Sequence, residues 1–114
     1  MKRTGYVPEK GEIVWLDFDP QAGHEQSGRR PAFVLSPARY HAITGLMLCC
    51  PLTTKAKGYP FEVGIGGGSK AQGVILADQV KSLDWQARRA EKKGTVSQAV
   101  LDEVLDKIKA ILEG

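Results

Sequence analysis

Long apolar runs, spaced cysteines and histidine clusters are all missing from this chain, and each absence excludes something. No run approaches the ~20 residues needed to cross a bilayer, and residues 1–7 are short and polar. The expectation is no transmembrane helix and no signal peptide, with the cytoplasm as default compartment. Only two cysteines occur, Cys49 and Cys50, and they are neighbours. Adjacent strand residues point to opposite faces, so a bridge between them would be badly strained. They read as reduced, half-buried thiols. Without a spaced Cys/His set, no structural zinc and no other metal or cofactor is expected. The run GGGSK at 66–70 has Ser-Lys where a phosphate-cradling loop needs Gly-Lys-Ser/Thr, which sets nucleotide binding aside. Internal repeats and domain boundaries are also lacking.

What is present fits one domain spanning 1–114 with a real core, since 42% of residues are hydrophobic and 25% charged. The net charge of +3 is uneven. Residues 97–114 hold four acids and two bases, a balance of −2, so the remainder carries +5. Basic groups bunch at Arg29 and Arg30, at 55–57 and at 81–93. Such a surface attracts polyanions, nucleic acid among them, or is simply a soluble basic face.

Residues 13–18 are β-branched and aromatic-rich, which predicts a strand with Val14, Leu16 and Phe18 on one face. Pro20 ends it. Residues 31–35 form a short apolar run suited to a strand buried on both faces. Residues 38–45 read as a connection with one helical turn, and 46–53 as a third strand. Pro51 inside that strand predicts an edge position or a bulge. Residues 61–65 alternate as a strand, and 66–70 form a flexible hairpin loop. Residues 73–77 predict a buried strand continuing to Leu83, and 88–94 a basic strand or turn. Thr95 and Ser97 are candidate caps for an amphipathic helix, in which Val100, Leu101, Val104, Leu105, Ile108, Ile111 and Leu112 recur at helical spacing. The acids then lie on its outer face. Short strands followed by one helix predict a mainly β fold, a small partly closed barrel with a C-terminal helix packed on it.

The stretch DFDPQAGHEQSGRRP at 17–31 stands out, because it sets charged groups of both signs in a long connection between two strands. Cutting RNA without a metal uses the ribose 2′-hydroxyl as nucleophile. It needs a base for that proton, a cation for the crowded phosphate and a donor for the leaving 5′-oxygen. Glu25 is a candidate base. Arg30 offers a planar fork that matches two phosphate oxygens. Thr53, at the end of a neighbouring strand, offers a small hydroxyl donor. Each has a plainer reading: Glu25 and Arg30 pair across the loop, and Thr53 satisfies a backbone group at its strand end. His24 has the side-chain pKa nearest neutrality, yet a lone loop histidine is more often solvated. Phe18 either stacks on an unpaired base or belongs to the core, and the core is preferred.

The chain resembles the MazF/PemK toxin family over nearly its whole length. The resemblance is carried by Gly11-Glu12, Asp19-Pro20, GHEQSGRRP at 23–31, PLTT at 51–54, KGYPFEV at 57–63 and GVILADQVKS at 73–82. It implies an SH3-like barrel and a homodimer. It implies metal-independent, sequence-specific cleavage of single-stranded RNA, leaving 2′,3′-cyclic phosphate and 5′-hydroxyl ends. The family's functional residues fall on Glu25, Arg30 and Thr53. RNA contacts fall on Gln26, Ser27, Lys57, Gln79 and Lys81. Many relatives carry serine at the position of His24, which favours the plainer reading of that imidazole. A MazE-type antitoxin is the implied partner, its acidic disordered tail filling the basic groove, and growth arrest through cleavage of cellular RNA is the implied outcome. A non-catalytic RNA binder and a gyrase poison on the same fold are the alternatives. Neither needs the set of Glu25, Arg30 and Thr53.

Overall fold

The computed structural model describes residues 5–18, 28–66 and 73–114. Within them the order is β1 (Glu12–Asp17), β2 (Arg29–Val34), α1 (Ala38–Thr44), β3 (Leu46–Thr53), β4 (Glu62–Gly64), β5 (Val74–Leu76), β6 (Lys81–Asp84), β7 (Glu91–Thr95) and α2 (Gln98–Glu113). The strands run antiparallel in the order β4-β5-β3-β2-β1-β7, with β6 also paired to β3. The result is a curled, half-closed barrel capped by α2, as the sequence pattern predicts. Among the described residues no helix is long and apolar enough to cross a membrane.

β3 organises the sheet. One edge of it pairs with β2, through Ala32–Pro51, Phe33–Cys50 and Val34–Cys49. Along the other edge its first half, Leu46 to Cys49, pairs with β6, and its last residues, Leu52 and Thr53, pair with β5. This corrects two expectations. Pro51 is not in an edge strand; it sits where one partner strand has ended and the next has not quite begun, so a missing ladder donor is tolerated there. Residues 73–83 are not one strand. A turn at Ala77 and Asp78 breaks them, and the two pieces serve different halves of β3.

The alternation of β1 also needs correcting. Val14 and Leu16 do share a face, but Ile13 on the other side is buried as well, at 6% exposure. The sheet is covered on both faces. Ile13, Phe33, Leu35, Cys50, Val63 and Ile75 pack with Leu101 and Val104 of α2. On the other face Val14, Leu16, Ala32, Val34, Met47 and Cys49 pack with Trp85, and Phe18 lies against this second cluster. The two cysteines thus occupy opposite faces, as expected, but they are fully rather than half buried. Burial pushes the Cys49 thiol up to about 11 and the Cys50 thiol up to about 12, so both stay protonated and inert.

α1 is a seven-residue helix, longer than the single turn expected. Ser97, not Thr95, caps α2: its side chain accepts from the Val100 N–H, while Thr95 ends β7. Asp102, Glu103, Asp106 and Glu113 lie exposed along that helix, as its periodicity requires.

Candidate active site

The site is set by strand register. Paired residues of antiparallel strands share a face. Leu16 lies opposite Arg30, and Ala32 opposite Pro51. Carrying the β2–β3 register two residues beyond that last pair sets Arg30 opposite Thr53, at neighbouring-strand spacing of ~5 Å between Cα atoms. Cys49 pairs with Lys81, which puts Lys81 on this same face. Three of the sequence-derived site residues, Arg30, Thr53 and Lys81, therefore occupy one side of the sheet, Arg30 and Thr53 at adjoining strand ends and Lys81 opposite Cys49, four residues back along β3. Gln79 precedes Lys81 in an exposed turn closed by its N–H onto the Leu76 carbonyl at 3.0 Å.

Arg30 is exposed, and among the described residues no carboxylate pairs with it. Thr53 is half-buried, and its Oγ1 accepts the Lys55 N–H at 3.1 Å. That is the strand-end role of the plainer reading. It uses a lone pair and leaves the hydroxyl proton available to donate. Gly73, at φ 97°, packs so closely on this point that a Cβ there would stand 2.7 Å from the Thr53 carbonyl oxygen. Lys57 projects from the loop after β3. The Glu62 carboxylate pins that loop by accepting the Lys57 N–H at 2.9 Å and the Gly58 N–H at 3.0 Å. The Lys57 ammonium lies 6.0 Å from the Tyr59 ring centre. Glu25, Gln26 and Ser27, with His24, lie outside the described residues.

Arg29 differs from its neighbour in every respect. Its guanidinium donates to Asp17 Oδ1 at 2.8 Å, to the Arg89 carbonyl at 2.7 Å and to Glu91 Oε1 at 3.2 Å. Asp17 Oδ2 in turn accepts from Arg89 Nε at 2.7 Å. The bond from Arg89, then that from Arg29, holds the Asp17 carboxyl below the usual carboxylate range, while Asp17 raises Arg89. Sequence reasoning groups Arg29 with the free basic residues, because nothing local marks its partners.

A second feature that sequence reasoning passes over is a groove of about 540 Å³ lined by Trp15, Pro31, Leu52, Thr53, Thr54 and Lys93, among others. The Lys93 ammonium lies 5.1 Å from the Trp15 ring centre. An apolar, aromatic trough walled by one cation, Lys93, has the chemistry of a seat for an unpaired base, on the sheet face opposite Arg30 and Lys81. The alternation of β1, which sends Trp15 to the face opposite Leu16, is the signal that could have found it.

With this geometry in hand, comparison with known proteins is decisive. The model of PemK-like, MazF-like toxins of type II toxin–antitoxin systems matches residues 9–112. The chain belongs to that family. The Escherichia coli K12 endoribonuclease toxin MazF is 53% identical over 107 residues, covering 94% of this chain and 96% of the relative. Crystal structures of Deinococcus radiodurans proteins agree with the fold of this MazF-like chain. MazF superposes with a TM-score of 0.83 at 55% identity, over 96% of this chain and 99% of the other. A MazE–MazF structure superposes with a TM-score of 0.85 at 53% identity, over 95% and 98%.

Proposed function

We propose that this chain is the toxin of a type II toxin–antitoxin pair, a cytoplasmic endoribonuclease that cuts single-stranded RNA at a specific sequence and so arrests translation and growth. Family membership across residues 9–112 supports the class of activity. The register that sets an exposed guanidinium opposite a hydroxyl at adjoining strand ends, in a chain whose β1–β2 connection carries a carboxylate, is the observation that supports the mechanism.

Glu25 takes the proton of a ribose 2′-hydroxyl, and the 2′-oxygen attacks the adjacent phosphorus. Arg30 pairs with the two non-bridging oxygens as negative charge builds on them. The bond from phosphorus to the 5′-oxygen breaks; the Thr53 hydroxyl donates a hydrogen bond to the departing oxygen, which takes its proton from water. A 2′,3′-cyclic phosphate and a 5′-hydroxyl result. These three groups meet what the reaction requires, and the chemistry proceeds without a metal. Gln26, Ser27, Lys57, Gln79 and Lys81 hold the strand, with Trp15 offering a wall for one base. The chain works as a homodimer, opposed by a MazE-type antitoxin whose acidic tail competes for the same cations.

The test is to incubate the pure protein with a long RNA in a chelator and read the fragment ends. Discrete cuts with cyclic-phosphate ends are expected. Intact RNA with a mobility shift would make the chain a binder only. Intact, unbound RNA together with gyrase inhibition would make it a gyrase poison.

A further inference from the structure

Arg29 and Arg30 present the same chemistry one residue apart on β2, facing opposite sides of it. Both match a phosphate. A phosphate gripped by Arg29 would be held on the face away from Thr53, so a free Arg29 would strengthen binding while misplacing the substrate. The structure removes that competitor. Arg29 spends its guanidinium on Asp17, Glu91 and the carbonyls of Arg89 and, at 3.4 Å, Trp15. Asp17 also takes Arg89 Nε at 2.7 Å and Nη2 at 3.3 Å, and its backbone carbonyl accepts from Arg88 Nη1 at 3.1 Å. One carboxylate thereby ties the end of β1, the start of β2 and the turn before β7.

Stability is a poor explanation for this cluster. Arg89 is 70% and Glu91 71% exposed, so their bonds contribute little, and only the Asp17–Arg29 pair, at 32% and 27%, is sheltered. Arg89 also holds φ 53°, a left-handed conformation that a side chain disfavours. The cluster is kept in spite of its backbone cost, and what it gives is geometry.

We infer that Asp17 and Arg29, seconded by Arg89 and Glu91, are positioning residues that keep Arg29 off the RNA and leave Arg30 as the guanidinium presented beside Thr53. This rests on the cleavage reading above. The clamp trades raw affinity for alignment, which is where holding reacting groups in register is worth most.

The experiment uses the full chain and a single-stranded RNA containing the site mapped by parent digestion. A 2′-deoxy version of that oligonucleotide, which lacks the nucleophile, reports binding alone. Asp17→Asn should lower kcat by about 100-fold. It should bind the deoxy oligonucleotide at least as tightly as the parent does. Its log-affinity against log-salt slope should steepen by about 0.7 for each freed guanidinium. Arg29→Ala deletes the competitor itself, so it should lose less kcat than Asp17→Asn and should not tighten binding. Asp17→Glu, which keeps the carboxylate, should recover part of the rate. A purely structural role would instead weaken kcat and binding together.

Should Asp17→Asn fail to fold, Glu91→Ala removes one of the acceptors that hold Arg29, at a position 71% exposed. Its kcat should fall about tenfold with no loss of Tm. Asp17→Asn or Glu91→Ala cleaving at the parent kcat overturns the clamp, as does weakened binding of the deoxy oligonucleotide by Asp17→Asn. A parent that leaves RNA intact overturns the cleavage reading itself, and the clamp with it.

Discussion

Removing the Arg30 guanidinium tests the phosphate-stabilising role directly. The residue is exposed at a strand end, so truncation deletes no core packing. Arg30→Ala should retain the parent Tm and lose about 100- to 1,000-fold in kcat, the loss typical when one donor to a developing oxyanion is deleted. Cleavage at the parent rate would reassign the phosphate to another cation. Thr53→Val keeps shape and removes the hydroxyl. The Lys55 N–H that it leaves is exposed and can turn to water, so stability should barely change. Activity should fall about 100-fold, and Thr53→Ser should restore it; a fully active valine variant would leave Thr53 with its strand-end role alone. Arg30 and Thr53 were legible as candidates, because they lie in distinctive local strings. Arg29 was not. Its partners Asp17, Arg89 and Glu91 lie 12, 60 and 62 positions away, and no local pattern separates a clamped arginine from a free one.

At the scale of elements, Thr53 is placed by the pairing of β3 with β5, and that pairing depends on Gly73. Its φ of 97° lies in the left-handed region, and an added Cβ would meet the Thr53 carbonyl oxygen at 2.7 Å and its carbonyl carbon at 3.3 Å. Both atoms are backbone, so no side chain can swing aside. Gly73→Ala should therefore cost about 1–3 kcal/mol from strain and shift the β3 end that carries Thr53. Reduced kcat in a variant still folded by circular dichroism is the expected result. Parent kcat and parent Tm together would show that this strand end tolerates displacement. Strand existence was readable from composition, and β3 has the predicted bounds, 46–53. Pairing was not. Pro51 implies an edge when its strand has one partner per side, and here β6 and β5 share a side, leaving a gap that proline can fill.

Over the whole molecule, acidic α2 covers one face of the sheet, while Arg30 and Lys81 lie on the other with Thr53 between their strands. The asymmetry between −2 in residues 97–114 and +5 elsewhere was visible in the sequence, but not which face it would mark. It leads to a measurable salt dependence. If Arg30, Lys57 and Lys81 each neutralise one phosphate, the slope of log affinity on log salt for single-stranded nucleic acid should be about −2. Raising salt from about 50 to about 200 mM should then weaken binding of a 2′-deoxy oligonucleotide roughly 20-fold. Lys57→Ala or Lys81→Ala should each flatten the slope by about 0.7 with little effect on which sequence is cut, because phosphate contacts carry no base information. Trp15→Ala should do the reverse, leaving the slope and weakening binding through lost stacking. A flat salt response in the parent would transfer the affinity from the cationic row to the Trp15 groove, and with it the case for an electrostatic grip on the phosphate.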